Sequence, residues 1–368
     1  MPSAVLSPAP VTTPATAPKL WWPKQVLVTA SALEHAHGRR IAERCEAAGL
    51  DVVELPGNRL TGLRSDDPRE AYRRAKQTLA VVTAPPSARK LQPIPPSADF
   101  RLDLARGCPA HCQYCYLAGS LPGAPVTRVY GDLDELLEAS VAYEGEGTIT
   151  SRSSARVGEG TTFEASCYTD PLALEHLTGS VARAVEHFAD RPQAGLRFTT
   201  KFDDVEGLAA LEHGGRTRAR FSVNAPGVSK RFEGGTAPVP ARIAALGRLA
   251  RAGYPVGLTV APIMPVDDWR TEYAQLFDDV AAELADVPDV DLTVELITHR
   301  FTDTSRDVLR GWYPASALEM DEEQRTTKRG KFGARKHVYP RPEMRELETT
   351  LRALVAERLP DAPVLYFT

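Results

Sequence analysis

From about Phe100 to Ile297 the chain repeats one pattern: a short run of β-forming residues, a loop, then a helix-length amphipathic segment. Strands are expected at Arg101–Leu104, Thr161–Ser166, Leu196–Thr200, Arg220–Val223, Val256–Ala261 and Leu292–Ile297. Helices are expected at Pro240–Ala252 and Thr271–Glu283. The stripe Leu174, Leu177, Val181, Val185 and Phe188 marks another, with Asp170 as N-cap and Pro171 in its first turn. A crossover helix returns the chain to the same end of a sheet, so repeated βα units give parallel strands. The expected fold class is therefore α/β, a closed or partial parallel (β/α) barrel. Its chemistry belongs at the C-terminal ends of the strands.

The flanks read differently. Residues 1–20 are rich in Pro, Ala, Ser and Thr and read as a disordered tail. Strand Lys24–Ala30, helix His35–Ala48, strand Asp51–Leu55, helix Pro68–Gln77 and strand Thr78–Thr83 make a small N-terminal α/β unit. A Pro-rich connector, residues 85–96, closes it. Beyond Thr302 come a charged segment, a basic stretch spaced by glycines, helix Glu343–Glu357 and strand Val364–Phe367, read as an appendage. The expected division is 1–20, 21–96, 97–301 and 302–368.

Hydrophobic residues make up 43% and charged residues 25%, enough apolar material for a packed core. The net charge of −4 argues against a polyanion binder by bulk charge, so any nucleic-acid contact needs a local basic patch. No apolar run reaches transmembrane length, and the N-terminus lacks the basic start and apolar core of a secretory leader. Five cysteines in a chain of this length do not make a disulfide framework. Their clustering points to a metal site in a reducing compartment, so a cytoplasmic location is expected.

Three of them, Cys108, Cys112 and Cys115, stand in C-x3-C-x2-C spacing directly after a strand. Three such thiolates can hold three irons of a [4Fe–4S] cubane and leave the fourth iron open to a ligand. Gly107 allows a tight turn and Pro109 stiffens the loop. The competing assignment is a zinc site with Cys167 or His111 as fourth ligand. Zinc sites are more commonly built from separated C-x2-C pairs.

This spacing, followed by the aromatic Tyr116, resembles the radical S-adenosylmethionine superfamily. From about Leu91 to Thr368 the chain more closely resembles one family within it, the spore photoproduct lyases. The likeness rests on Glu164–Cys167 with Asp170 and His176–Thr178, on Arg197–Lys201, and on Arg220–Asn224. It continues through Ala252–Pro255, Val260–Ile263, Glu295–Thr302 and the terminal Tyr366–Thr368. The resemblance implies an open-iron cluster on the three cysteines and S-adenosylmethionine as cofactor. It also implies repair of a DNA lesion in which two thymines are joined through a methyl carbon. The deoxyadenosyl radical would take a hydrogen from the lesion, the crosslink would fragment, and a cysteine would quench the resulting thymine radical.

Cys167 occupies that donor's position, and a thiol S–H is weak enough for the task. Without the resemblance it would read as a small buried hydrophobe. Tyr116 and Tyr114 take the positions that return the hydrogen atom toward the cofactor; otherwise they would be cluster packing. Lys201 would meet the cofactor carboxylate, Ser222 and Asn224 would offer hydrogen bonds, and Ala261 its backbone beside adenine. Thr169 keeps the hydroxyl of a serine usual in the family. Two departures stand out. Tyr168 replaces a small residue and is expected to narrow the lesion pocket. A Gly/Ser-rich stretch within Glu138–Arg156 is expected to lie near the site.

Residues 325–337 carry Arg325, Lys328, Arg329, Lys331, Arg335 and Lys336 and no acid. Gly330 and Gly333 suggest a β-hairpin with Phe332, in place of a more usual tyrosine, at its tip. Read alone, such a run is a solvated charged loop. With the resemblance, Lys331 and Arg335 become phosphate contacts and Phe332 a wedge at an extruded lesion. The expected partners are lesion-bearing DNA and a low-potential electron donor, with no membrane, and the expected state is a monomer. The rivals are a relative acting on another nucleic-acid substrate and a non-catalytic Fe–S DNA-binding protein.

Overall fold

The computed structural model describes residues 17–63, 65–120, 125–150, 153–329 and 335–368. Its centre is an eight-stranded sheet. In spatial order the strands are Val364–Phe367, Leu292–Thr298, Val256–Ile263, Thr217–Val223, Ala194–Thr200, Thr161–Ala165, Ala98–Leu102 and Gln92–Ile94. Every neighbouring pair is parallel except the last, where Gln92–Ile94 runs antiparallel to Ala98–Leu102. The two outermost strands do not pair with each other, so the barrel is open. The predicted partial parallel (β/α) barrel is the observed fold.

Side-chain alternation separates two environments. Phe163, Phe198, Phe221, Leu258, Val260, Val294 and Leu296 are buried and, at period two, share the face that packs on the outer helices. The opposite face carries Glu164, Arg197, Arg220 and Glu295, all buried. Arg197 donates to Glu295 at 2.7 Å and Arg220 to Glu295 at 2.6 Å, while Arg220 also donates to Glu164. Burial alone would raise the Glu295 carboxyl, but Arg220 and Arg197 hold it down at about 2. The interior of the barrel is thus an ion-pair lattice contributed by four strands, and it leaves the C-terminal strand ends as the open mouth.

The terminal strand Val364–Phe367 pairs in parallel with Leu292–Thr298, so the end of the supposed appendage is a strand of the barrel sheet. The N-terminal unit likewise reaches past residue 96. Its sheet runs Val52–Leu55, Gln25–Thr29, Thr78–Val82, Thr127–Tyr130 and Ala105–Arg106. The last two strands bracket the cysteine loop and bind the unit to the barrel.

The apolar stripe from Leu174 to Phe188 is two helices, Glu175–Thr178 and Ser180–Ala189. Gly179 between them adopts φ +62°, and the Arg44 guanidinium lies where its Cβ would be. The expected N-cap Asp170 does accept from the Ala173 amide, at 3.3 Å, at the head of a short 3-10 turn. No helix among the described residues is long and apolar enough to cross a membrane.

The stretch before Cys167 lies away from the site, contrary to expectation. Ile149 and Thr150 bond to Asp99, and Arg156 donates to the carbonyls of Pro96 and Ser97. These contacts sit at the N-terminal ends of strands Ala98–Leu102 and Thr161–Ala165, the end of the barrel opposite its mouth. The stretch closes the barrel floor.

Candidate active site

The cysteine loop is pinned on three sides. His111–Cys112 pairs antiparallel with Glu233–Gly234, and the Gln113 amide donates to the Phe232 carbonyl at 2.9 Å. Lys76 donates from below to the carbonyls of Cys108, at 2.6 Å, and Ala110. Gly107 turns the chain with φ +82°, against the Val126 carbonyl where a Cβ would not fit. The Gly107 amide then donates to the Tyr168 carbonyl at 2.9 Å. That bond ties the cysteine loop to the turn carrying Cys167.

Cys108, Cys112 and Cys115 line one cavity with Lys76, Leu117, Ala118, Pro125, Trp312 and Tyr313. Burial pushes the Cys108 thiol to about 11 and the Cys112 thiol to about 12. Lys76 pulls Cys108 the other way, and Lys201 does so for Cys112. A metal bound here must displace those protons. A single zinc ion with bonds of about 2.3 Å needs its sulfurs about 3.8 Å apart. Among the described residues the one trio of possible ligands within 4.8 Å of each other is Asp303, Glu322 and His337, not these cysteines. The wider-set thiols around a cavity fit a cluster better than one ion.

At the strand ends Lys201, Ser222 and Ala261 converge. The Lys201 ammonium donates to the Ser222 hydroxyl at 2.8 Å and to the Ala261 carbonyl at 3.2 Å. It also donates to Glu233 at 3.0 Å. Thr169 precedes Asp170, whose carboxylate accepts from the Lys201 amide at 2.6 Å, and its own buried hydroxyl has no hydrogen-bond partner, as a ligand-binding group would. Asn224 departs from the expectation. Its amide donates to the Pro262 carbonyl at 2.8 Å, and its oxygen accepts from Tyr273 and Ala225, so it brackets neighbouring segments.

Glu233 is the residue that sequence reasoning missed. One of its oxygens accepts from both Lys201 and the Tyr114 hydroxyl, and the other pairs with Arg242 at 2.7 Å. Burial opposes its ionisation, but Lys201 and Arg242 bring its carboxyl to about 2. No motif marks it; only strand pairing sets it opposite Cys112. Arg300, also unassigned from sequence, is partly buried near Tyr116 and Tyr366, and burial lowers its guanidinium.

Cys167 lies in a sharp turn behind Ser166, whose φ is +58° and whose hydroxyl accepts from the Leu104 and Ala105 amides. The Tyr116 hydroxyl donates to the Cys167 carbonyl. Burial and the nearby Asp103 and Glu164 carboxylates push the Cys167 thiol upward, so it keeps its hydrogen at neutral pH. Tyr168 does not hang free. The guanidinium groups of Arg101 and Arg106 each lie 4.7 Å from its ring centre, and Arg101 donates to its hydroxyl at 3.0 Å.

The basic stretch forms the expected hairpin, Thr326–Arg329 paired with Arg335–Val338. Lys331 and Phe332 lie outside the described residues. Arg335 is exposed and pairs with Asp303 at 3.1 Å. Arg325 is not available to DNA: it is buried against Tyr339 and bonded to Glu319 and the His299 carbonyl. The hairpin joins the barrel mouth through a bridge between His337 and Phe301.

Residues 21–368 match the family model described as spore photoproduct lyase. The spore photoproduct lyase of Geobacillus sp. (strain Y412MC61) is 38% identical over 347 residues, 94% of this chain and 98% of that protein. That of Bacillus subtilis (strain 168) is 37% identical over the same length and shares. Among solved structures, a spore photoproduct lyase variant with bound AdoMet and dinucleoside spore photoproduct superposes with a TM-score of 0.87 at 36% identity. It covers 95% of this chain and all of that one. A spore photoproduct lyase complexed with the same dinucleoside gives 0.86 at 37% identity, covering 94% and 99%. With one fold, one order of motifs and matches of this length, the chain belongs to the spore photoproduct lyase family.

Proposed function

We propose that this chain is a DNA-repair lyase that converts spore photoproduct back to two thymines, with Cys167 as hydrogen-atom donor. A cubane cluster on Cys108, Cys112 and Cys115 together with S-adenosylmethionine would supply the 5′-deoxyadenosyl radical that opens the lesion. Lys201 and Ser222, with the Ala261 carbonyl and the Thr169 hydroxyl, would hold the cofactor: the ammonium matches a carboxylate and the unpartnered hydroxyl awaits an acceptor or donor. Glu233 holds Lys201 in reach through their ion pair at 3.0 Å.

After fragmentation, a carbon radical remains on a thymine methyl. Cys167 gives it the thiol hydrogen and becomes a sulfur radical. Tyr116, anchored to the Cys167 carbonyl, is the nearer hydrogen source for that sulfur, and Tyr114, on the Lys201 side, carries the relay toward the cofactor. The DNA strand would be gripped by the hairpin through Lys331 and Arg335, with Phe332 as the wedge at the lesion.

One observation carries this reading: the turn that bears Cys167 is joined to the cysteine loop by two hydrogen bonds to its backbone carbonyls, Gly107 to Tyr168 and Tyr116 to Cys167. The test is anaerobic incubation of iron-reconstituted protein with S-adenosylmethionine, a reductant and an oligonucleotide bearing the lesion. Intact thymines are the expected product. Cofactor cleavage with no change in the lesion would overturn the substrate, and a colourless zinc-loaded protein purified without oxygen would overturn the cluster.

A further inference from the structure

Two arginines on the strands that bracket the cysteine loop have no role in the chemistry described above. Arg106, just ahead of the cysteine loop, pairs across the sheet with Arg128. Like charges directly opposed on neighbouring strands repel, and a sheet normally avoids them. The Asp103 carboxylate is within electrostatic reach of Arg106 but forms no ion pair with it. Among the described residues neither guanidinium has an ion-pair partner, and the remaining residues of the chain include no Asp or Glu. The ion pair that Asp103 does make is with Arg101, at 3.3 Å. The Nε of Arg106 is buried without any hydrogen-bond partner. Both side chains are only partly buried, so an incoming group can reach them.

Their place is set by Tyr168. The Arg106 guanidinium lies 4.7 Å from its ring centre, and Tyr168 follows Cys167 directly. The backbone bond from Gly107 to Tyr168 fixes this spacing. We propose that Arg106 and Arg128 form a clamp for a phosphodiester of the lesion-bearing strand, next to the turn that presents Cys167. This rests on the function proposed above and adds to it a second phosphate contact, separate from the hairpin. Paired guanidinium groups suit a phosphodiester because their planar donors meet its oxygens and their mutual repulsion is relieved by its charge. A dinucleoside carries no phosphodiester, whereas the lesion in DNA does. The clamp would therefore tell a strand from its nucleosides.

Binding of two ligands to the iron-reconstituted full chain tests this: the dinucleoside spore photoproduct and the same lesion with its phosphodiester. Wild type should bind the phosphodiester form about tenfold more tightly, the scale of one charge-assisted hydrogen-bonded contact. Arg128→Ala should erase that preference and leave dinucleoside affinity within about twofold of wild type, on the same scale of contacts. Arg128→Lys should restore part of it. Arg106→Gln provides the second variant should Arg128→Ala not fold, with the same expectation. A preference that survives substitution, an equal loss for both ligands, or no preference in wild type overturns the clamp.

If wild type binds neither ligand, the proposed substrate is wrong, and undamaged oligothymidylate decides the clamp by itself. The slope of log affinity against log salt should then be shallower by about 0.7 in Arg128→Ala, one phosphate contact on a single strand. An unchanged slope overturns it.

Discussion

The Tyr116 hydroxyl donates to the backbone carbonyl of Cys167, joining the residue after the last loop cysteine to the turn that carries a fourth sulfur. Tyr116 is nonetheless 58% exposed, so the contact adds little to folding. Tyr116→Phe should therefore keep its iron and lose no more than about 1 kcal/mol of stability, the usual worth of one hydrogen bond. Repair turnover should fall several-fold because the phenol hydrogen is gone. Turnover and iron content measured on the same preparation check both halves.

Glu233 holds Lys201, Tyr114 and Arg242 around one buried carboxylate. Removing one member of a buried charge network leaves the others uncompensated, typically at about 3–5 kcal/mol. Glu233→Ala should lose stability on that scale, and Glu233→Gln less, since it keeps a hydrogen-bond acceptor. In both variants S-adenosylmethionine should bind more weakly, because Lys201 loses its tether. Urea midpoints and cofactor titration report the two effects separately.

Burial and the Arg40 charge lower the His37 imidazole to about 4. The unfolded chain takes up a proton at His37 below about pH 6.5, whereas the folded chain does so only near pH 4. Stability from this residue is thus present above pH 6.5 and lost as the pH falls toward 4. The urea midpoint of wild type should drop between pH 7.5 and pH 5, and His37→Gln should show a smaller drop. Equal drops would mean that His37 is not buried as a neutral ring.

Arg335 is paired with Asp303 on the surface, and such exposed pairs are worth about 0–1 kcal/mol, so a phosphate can displace the carboxylate. Replacing Lys331 and Arg335 with Ala should weaken DNA binding for all sequences alike and lower the salt slope by about one to two. Unchanged affinity at low salt would remove the hairpin from the interface.

The barrel was legible in the sequence because its strands and helices carry apolar periodicity of their own. The lattice of Glu164, Arg197, Arg220 and Glu295 was visible as matching segments but not as partners, since its members come from four strands. Glu233 was invisible for the same reason: its contacts lie far off in sequence and only strand pairing brings it to Cys112. Closeness in sequence also misled. The stretch before Cys167 was expected near the site, yet strand Thr161–Ala165 carries the chain from floor to mouth, about 3.3 Å per residue. Tyr168 was expected to narrow the pocket, and the arginines that hold its ring were not foreseen because nothing in their spacing marks them.

The most direct test of the account is product analysis of Cys167→Ala with lesion-bearing DNA, cofactor and reductant under anaerobic conditions. The variant should keep its iron and still cleave S-adenosylmethionine, because Cys167 lies outside the three-cysteine loop. The lesion should still fragment, since the donor acts only afterwards. The thymine radical would then go unquenched, so clean thymine recovery should fall and adducts with the reductant should accumulate. Full and clean recovery of two thymines by Cys167→Ala would contradict the account and leave Cys167 as a packing residue.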